Sequence, residues 1–409
     1  MKEANDYRLP EIEMLTMGDR SRGEDEAEIL RAREILRQTL ESFGIPGEVT
    51  GHVSGPRVTR FELTLAPGVN VKKVEKIADN IAMNLGVAGV RVLAPIPERP
   101  TVGIDVPNLR GEAVFVRSVM ESEAWRSGKA ELPIAVGENV AGQPVVLDLA
   151  KAPQMLVSGA TGTGKNVCID AIIASLLFKF RPDELKFVMI DPKVIGLEEY
   201  RKLPHLLTPI ITAPDKALTA LRWLADEVDR RYRVMAEVHA KKLSEFNRRP
   251  PETPPVRDTD GNEIPPEMPY LVVMIDELAD LMVSKQKKAI ESCITRIAQK
   301  GRAAGIHLVI ATQRPSTNII TGVIKANLPT RLCFQVRSGA DSRVVIDTIG
   351  AEQLLGKGDI LLMRPPNMTL ERVQGAFVPK NDIRKLVEFI CGQAKPGFAA
   401  AVPTETAEI

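Results

Sequence analysis

Met155-Leu156-Val157-Ser158-Gly159-Ala160-Thr161-Gly162-Thr163-Gly164-Lys165-Asn166 is the stretch whose reading decides the fold. A short apolar run that reads as a buried strand breaks into a glycine-rich turn, and residues 166–180 follow with helical character. Gly159 to Gly164-Lys165 has the spacing of a P-loop in the context a P-loop requires, between strand and helix. The glycines let backbone N–H groups wrap phosphates, Lys165 reaches the terminal phosphates, and the helix start adds partial positive charge. Gly159, Ala160, Thr161, Gly162, Thr163, Gly164, Lys165, Asn166 and Val167 are therefore the nucleotide-binding candidates, with ATP as the expected ligand. The position after the lysine ordinarily carries a Ser or Thr whose hydroxyl ligates Mg²⁺. Here it is Asn166, so the phosphate cradle is expected to be intact while the metal site and turnover are weakened.

Moving outward, short and continuously apolar runs recur at Phe187–Ile190, Tyr270–Ile275, His307–Ala311, Leu332–Val336 and Ile360–Met363, separated by helical stretches. Such runs imply burial on both faces, as in a parallel sheet between helices. The fold class is α/β, a P-loop domain over residues 135–395 with a mainly parallel sheet. A small α+β domain over residues 26–130 precedes it, read from an amphipathic helix at 26–43, strands near 58–65, 90–93 and 101–106, and a helix from Val71 to Leu85. Residues 1–25 are polar and charged and are expected to be a flexible arm. Residues 248–269 contain seven prolines and are expected to be an exposed insertion; residues 396–409 form a tail.

Two further strand ends carry chemistry. Leu271-Val-Val-Met-Ile-Asp276-Glu277 has the Walker B pattern, in which Asp276 holds Mg²⁺ directly or through water and Glu277 polarises the attacking water as general base. His307-Leu-Val-Ile-Ala-Thr312-Gln313-Arg314 ends a strand in polar groups suited to sensing the γ-phosphate or orienting water, and Gln313 is a catalytic candidate. Arg302, in Arg296-Ile-Ala-Gln-Lys300-Gly-Arg302, is either a finger reaching a neighbouring subunit's nucleotide or part of a solvated helix face. Asp191-Pro192-Lys193 ends a strand at the same edge, with a structural or a ligand-facing role equally open. His52, His205, His239 and His307 lack partners at metal or triad spacing.

Composition narrows the rest. The 409 residues are 44% hydrophobic and 26% charged, values of a folded chain with a large core. The net charge of +1 confines any polyanion site to a local patch. Aromatics at 4% disfavour a stacking surface for sugars or single strands. Cys168, Cys293, Cys333 and Cys391 lie far apart, which excludes a zinc knuckle and a disulfide framework and fits a reducing compartment. No apolar run approaches the length that spans a membrane.

Taken together these motifs resemble the FtsK/SpoIIIE family of bacterial double-stranded DNA translocases. The resemblance rests on Gly159-Ala-Thr-Gly-Thr-Gly-Lys, Met189-Ile-Asp-Pro-Lys, Ile275-Asp-Glu-Leu-Ala-Asp-Leu-Met, Arg302-Ala-Ala-Gly-Ile-His-Leu, Ala311-Thr-Gln-Arg-Pro-Ser, Ile320-Thr-Gly-Val-Ile-Lys-Ala-Asn and Gly350-Ala-Glu-Gln-Leu-Leu-Gly-Lys-Gly-Asp. Pro67-Gly-Val and Val102-Gly-Ile-Asp-Val-Pro-Asn add to it. It implies a small α domain and a RecA-like β motor domain, a homo-hexameric ring around double-stranded DNA, ATP with Mg²⁺ between subunits, and Arg302 as the trans-acting finger. It also implies loop contacts to the DNA backbone by Thr312, Arg314 and Arg343. Arg337 joins them, close to Gly339, where the family often carries lysine. Lys325 lies in the same basic stretch. Family members act in chromosome partition with division or recombination proteins, tethered to the inner membrane by a region without a counterpart here. The expectation is a cytoplasmic motor fragment or a minimal member without the C-terminal winged-helix domain. Two rival readings are a related ring ATPase moving protein or single-stranded DNA, and a nucleotide-binding scaffold impaired in hydrolysis at Asn166.

Overall fold

The computed structural model describes residues 7–18, 26–94, 96, 99–194, 196–250, 256–258, 261 and 263–399. Among the described residues thirteen strands form two sheets. The first sheet contains β1 (Gly47–Ser54), β2 (Val58–Leu65), β3 (Arg91–Leu93) and β4 (Val102–Pro107), all antiparallel in the order β1-β2-β4-β3. One face is covered by the helix Glu26–Ser42, whose Ile29, Ala32, Leu36 and Leu40 recur at helical spacing and are buried. The expected helix from Val71 to Leu85 is two pieces, Lys72–Lys76 and Ala78–Leu85, broken at Ile77 and closed by the left-handed Gly86.

The second sheet contains β5 (Pro133–Asn139), β6 (Pro144–Asp148), β7 (Gln154–Ser158), β8 (Leu185–Ile190), β9 (Tyr270–Ile275), β10 (Ile306–Thr312), β11 (Thr330–Phe334), β12 (Asp359–Met363) and β13 (Leu370–Gly375). Its order is β6-β5-β13-β12-β11-β7-β10-β9-β8. The block β11-β7-β10-β9-β8 is parallel, as the uninterrupted apolar runs require. From β12 onward the pairing is antiparallel, so β12 extends the parallel block rather than belonging to it. Alternate residues of each parallel strand feed different layers. Met155 and Val157 join the layer with the helices Lys165–Leu177 and Lys380–Gln393, while Leu156 joins the layer with Pro214–Glu237 and Lys287–Ala304. Both faces are therefore core, which makes the sheet a rigid platform whose strand ends carry the chemistry.

Two expectations change. The described part of the N-terminal segment, residues 7–18, is docked on the large domain instead of standing free. Leu15 is buried, the Thr16 N–H and hydroxyl donate to Asp382 at 2.7 and 3.0 Å, and Arg117 donates to the Leu15 carbonyl. The described part of the proline-rich insertion is also anchored. Ile264 and Met268 are buried with Val234, Met235, Leu243 and Phe246, because two apolar side chains among the prolines find a satellite core at the end of a long helix. Residues 251–255, 259, 260 and 262 lie outside the described residues.

The two sheets meet over buried ions. Arg372 on β13 donates to Asp359 on β12 at 3.0 and 2.7 Å and to Asp105 on β4 at 3.0 Å, and Arg60 on β2 closes on Asp105 at 2.6 and 3.1 Å. Burial opposes ionisation of Asp105, but Arg372 and then Arg60 outweigh it and hold the carboxyl below the usual carboxylate range.

Candidate nucleotide site and the loops around it

All five parallel strands end on one edge, and the motifs collect there. After β7 the chain turns through Gly162 at φ +82° and Gly164 at φ +115°, a conformation side chains resist. The loop is fixed from two sides. Ala160 N–H donates to the Gln335 carbonyl beyond β11 at 2.9 Å, and Gly358 N–H donates to the Thr163 carbonyl at 2.8 Å. A Cβ on Gly164 would lie 2.7 Å from the Gly358 nitrogen, so the close approach itself demands glycine. The loop feeds the helix Lys165–Leu177, which is apolar nearly all round and buried, so its start cannot drift.

Lys165 is buried against the Walker B aspartate: its Nζ donates to the Asp276 carbonyl at 2.8 Å and to Asp276 Oδ1 at 3.0 Å. The ammonium that would bind terminal phosphates is thus already at the sheet edge, held by a replaceable anionic partner. Asn166 is exposed at the first helical turn. No hydrogen bond engages its side chain among the described residues. ATP phosphates suit the glycine cradle and Lys165, and a divalent cation suits Asp276 with the amide oxygen of Asn166 turned towards it.

Glu277 has no solvent exposure, and its carboxylate is surrounded by donors. Thr312 Oγ1 donates to Oε1 at 2.7 Å, Gln313 N–H reaches both oxygens at 3.2 Å, Ala279 N–H reaches Oε1 at 3.3 Å, and Lys193 Nζ donates to Oε2 at 3.1 Å. Burial alone would raise this carboxyl. The Thr312 hydroxyl and the Lys193 ammonium, aided by the Gln313 amide, prevail and hold it below the usual range. Gln313 also accepts a hydrogen bond from Thr161 at 2.9 Å, which ties the third motif to the P-loop.

The other sequence candidates divide. Thr312 is fully buried with its hydroxyl on Glu277, so it has no surface to offer DNA. Arg314, just past β10, and Arg337, just past β11, are exposed at the same edge as the P-loop, and Arg343 is exposed on the helix Gly339–Ile346. None of these three makes an ion pair among the described residues. Lys325 differs, because its Nζ lies 2.7 Å from Asp347 Oδ1. Arg302 is exposed at the end of the helix Lys287–Ala304, which precedes β10, so the seven residues of that strand put it on the edge opposite Lys165, about 20 Å away. It cannot serve the nucleotide of its own chain. Arg296 and Lys300 of the same helix are paired with Asp229. Sequence reasoning left Lys193 undecided, with Asp-Pro-Lys after a buried strand as its signal, and took Gly356-Lys-Gly-Asp359 only as part of a family motif without giving the loop a place at the site.

Comparison with known proteins fits this geometry. Residues 9–108 match the family model described as the FtsK alpha domain, and residues 116–317 match that of the FtsK/SpoIIIE family. The DNA translocase FtsK of Clostridium tetani is 44% identical over 396 residues, which is 95% of this chain and 52% of that protein. The DNA translocase SftA of Bacillus subtilis is 43% identical over 392 residues, 96% of this chain and 40% of that protein. The chain thus spans about half the length of the curated relatives it matches. In fold, it is similar to the pCW3 conjugation coupling protein TcpA, solved as a monomer form with ATPγS, at a TM-score of 0.58 and 21% identity over 88% of this chain and 99% of that one. The cytoplasmic domain of the Thermomonospora curvata type VII secretion ATPase EccC follows at 0.51 and 22% identity, over 66% of this chain and 31% of that one. No described helix is long and apolar enough to cross a membrane. With both domain models matched in order and the P-loop, Walker B and Thr-Gln motifs converging on one sheet edge, the chain belongs to the FtsK/SpoIIIE family and has the P-loop ATPase fold.

Proposed function

We propose that this chain is the ATP-hydrolysing motor of a ring-forming double-stranded DNA translocase, acting on the cytoplasmic side in chromosome partition. The observation that carries the reading is one shared edge. The Lys165–Asp276 pair and buried Glu277 lie beside loops that present Arg314 and Arg337 without ionic partners. Chemistry at the nucleotide and grip on a phosphate backbone are then mechanically adjacent.

In this reading the P-loop backbone and Lys165 bind and orient the phosphates. Asp276 and Asn166 would hold Mg²⁺, which would offset charge on the phosphoryl oxygens. Water attacks the γ-phosphorus, the bond to the β–γ bridging oxygen breaks with its electron pair leaving on ADP, and Glu277 takes the water proton. Thr312 and the Gln313 N–H fix the orientation of that carboxylate. Arg302, on the far edge, serves the next subunit's nucleotide, which requires a ring; a hexamer is the expected form.

Steady-state ATPase with and without linear duplex DNA tests the reading. Stimulation by duplex DNA is expected; stimulation by a protein or single strand alone would favour a transport ATPase instead. Mixing inactive Glu277→Gln with inactive Arg302→Ala chains should restore some activity, since one interface then carries an intact half from each. Zero activity at every ratio, with rings still forming, refutes the shared site.

A further inference from the structure

The Asp191-Pro192-Lys193 segment has a place in the reaction that neither the family likeness nor the P-loop motifs assign. Lys193 Nζ lies 3.1 Å from Glu277 Oε2. Glu277 does not need this partner to be held: the Thr312 hydroxyl and two backbone N–H groups already fix it from the buried side. The side chain of Lys193 is 34% exposed while that of Glu277 is wholly enclosed, so among the donors the lysine is the one that solvent or a ligand can draw away. It occupies the oxygen that has the fewest other donors.

The loop that carries Lys193 is built under tension. Asp191 gathers it through bonds to Lys193 N–H at 3.1 Å, Gly196 N–H at 2.8 Å and Leu197 N–H at 3.0 Å. Val194, β-branched and exposed, sits at φ +59°, a region such residues avoid. Strained residues of this kind persist where surrounding contacts over-determine them, and they gather at clamps and switches. The same loop runs close to the neighbouring acid and leaves no room for a side chain, since a Cβ at Gly196 would lie 2.6 Å from Asp276 Oδ2. One strained surface loop therefore contacts Glu277 and runs beside Asp276.

We propose that Lys193 is a positioning residue acting as a latch on Glu277: its ammonium occupies Oε2, where the attacking water must be accepted, and it must swing away before hydrolysis. The latch rests on the reading of Glu277 as the base of an ATPase. It limits turnover without DNA, and opening it leaves nucleotide affinity untouched because Lys193 is not part of the phosphate cradle.

The test uses Lys193→Met, which keeps the stem and removes the charge, with Lys193→Gln as a second neutral form. Turnover without DNA should rise about two- to fivefold, the factor corresponding to loss of an ion pair open to water on one side. KM for ATP should stay within about twofold, and the ratio of DNA-stimulated to basal rate should fall. Lys193→Arg, which keeps the charge, should bring the rate back towards that of the unaltered chain. A basal rate that is unchanged or lower in both neutral variants overturns the latch. The ion pair is read separately from activity by combining Lys193→Met with Glu277→Gln and following urea midpoints. Non-additive shifts are expected, and strictly additive ones overturn the latch whatever the ATPase shows. An unaltered chain without ATPase in any condition refutes the function reading instead.

Discussion

Arg372→Met tests how the two domains are held, and its size follows from the contacts. The substitution keeps much of the side-chain volume and removes one guanidinium from a site where Arg372, Asp105 and Asp359 are all nearly or fully buried. Asp359 loses both of its bonds to Arg372 and keeps the Leu355 N–H at 2.9 Å. Asp105 loses one bond and keeps two from Arg60. Breaking a buried pair by removing one partner costs about 3–5 kcal/mol, because the remaining charge stays out of water. With Arg60 and the buried guanidinium of Arg91 left in place, a loss near the lower end, about 3 kcal/mol, is expected. The pH signature has a fixed sign. Asp105 is depressed in the folded chain, so its pairing stabilises above the unfolded carboxylate pKa and is lost as pH falls through the folded one. Without Arg372 the depression shrinks, so less stability is left to lose in acid and the acid limb should be shallower and level off at higher pH. Urea unfolding followed by circular dichroism between pH 7 and 3 reads both effects, and Asp359→Asn in the same chain should recover part of the loss. A loss below about 1 kcal/mol with an unchanged acid limb would refute the view that this cluster joins the domains.

Three further outcomes follow from other parts of the molecule. The slope of log affinity for duplex DNA against log salt should flatten by about one unit in Arg314→Ala and in Arg343→Ala, but not in Lys325→Ala, whose ammonium is already neutralised by Asp347; equal slopes in all four proteins would remove these arginines from the DNA contact. Asn166→Ser should raise kcat and lower the Mg²⁺ needed for half-maximal ATPase, since a short hydroxyl suits the cation better than an amide; equal Mg²⁺ curves would show the amide oxygen to be an adequate ligand. Burial pushes fully enclosed His307 down to about 4, so below the ordinary value of 6.5 the unfolded chain gains a proton that the folded one refuses. Stability tied to His307 is complete above pH 6.5 and falls by up to about 3 kcal/mol as pH drops to 4, and His307→Leu should lessen the decline in urea midpoint over that window.

The sequence by itself determined the features that are local in the chain. The P-loop was legible because strand, glycine turn and helix are contiguous and the positive backbone angles at Gly162 and Gly164 allow almost nothing but glycine. The five parallel strands announced themselves because burial on both faces removes polar residues from the run. Strands β1, β5, β6 and β13 did not. β13 reads Leu-Glu-Arg-Val-Gln-Gly, and its Arg372 and Gln374 are inside only because partners from other strands satisfy them. Leu15 gave no sign of burial in a charged segment, since the other buried residues of its core come from Val114 onward. The site followed the same division. Asp276 and Glu277 were readable as a strand-end pair, yet only the strand order β7-β10-β9-β8 decided that Thr312 turns inward to Glu277 and that Lys193 reaches it from the neighbouring strand. It also put Arg302 on the edge away from its own nucleotide site. A sequence records which charges a chain carries and which backbone turns it tolerates; which charge meets which depends on strand order and on the low dielectric that burial creates, and both arise only when the chain has folded.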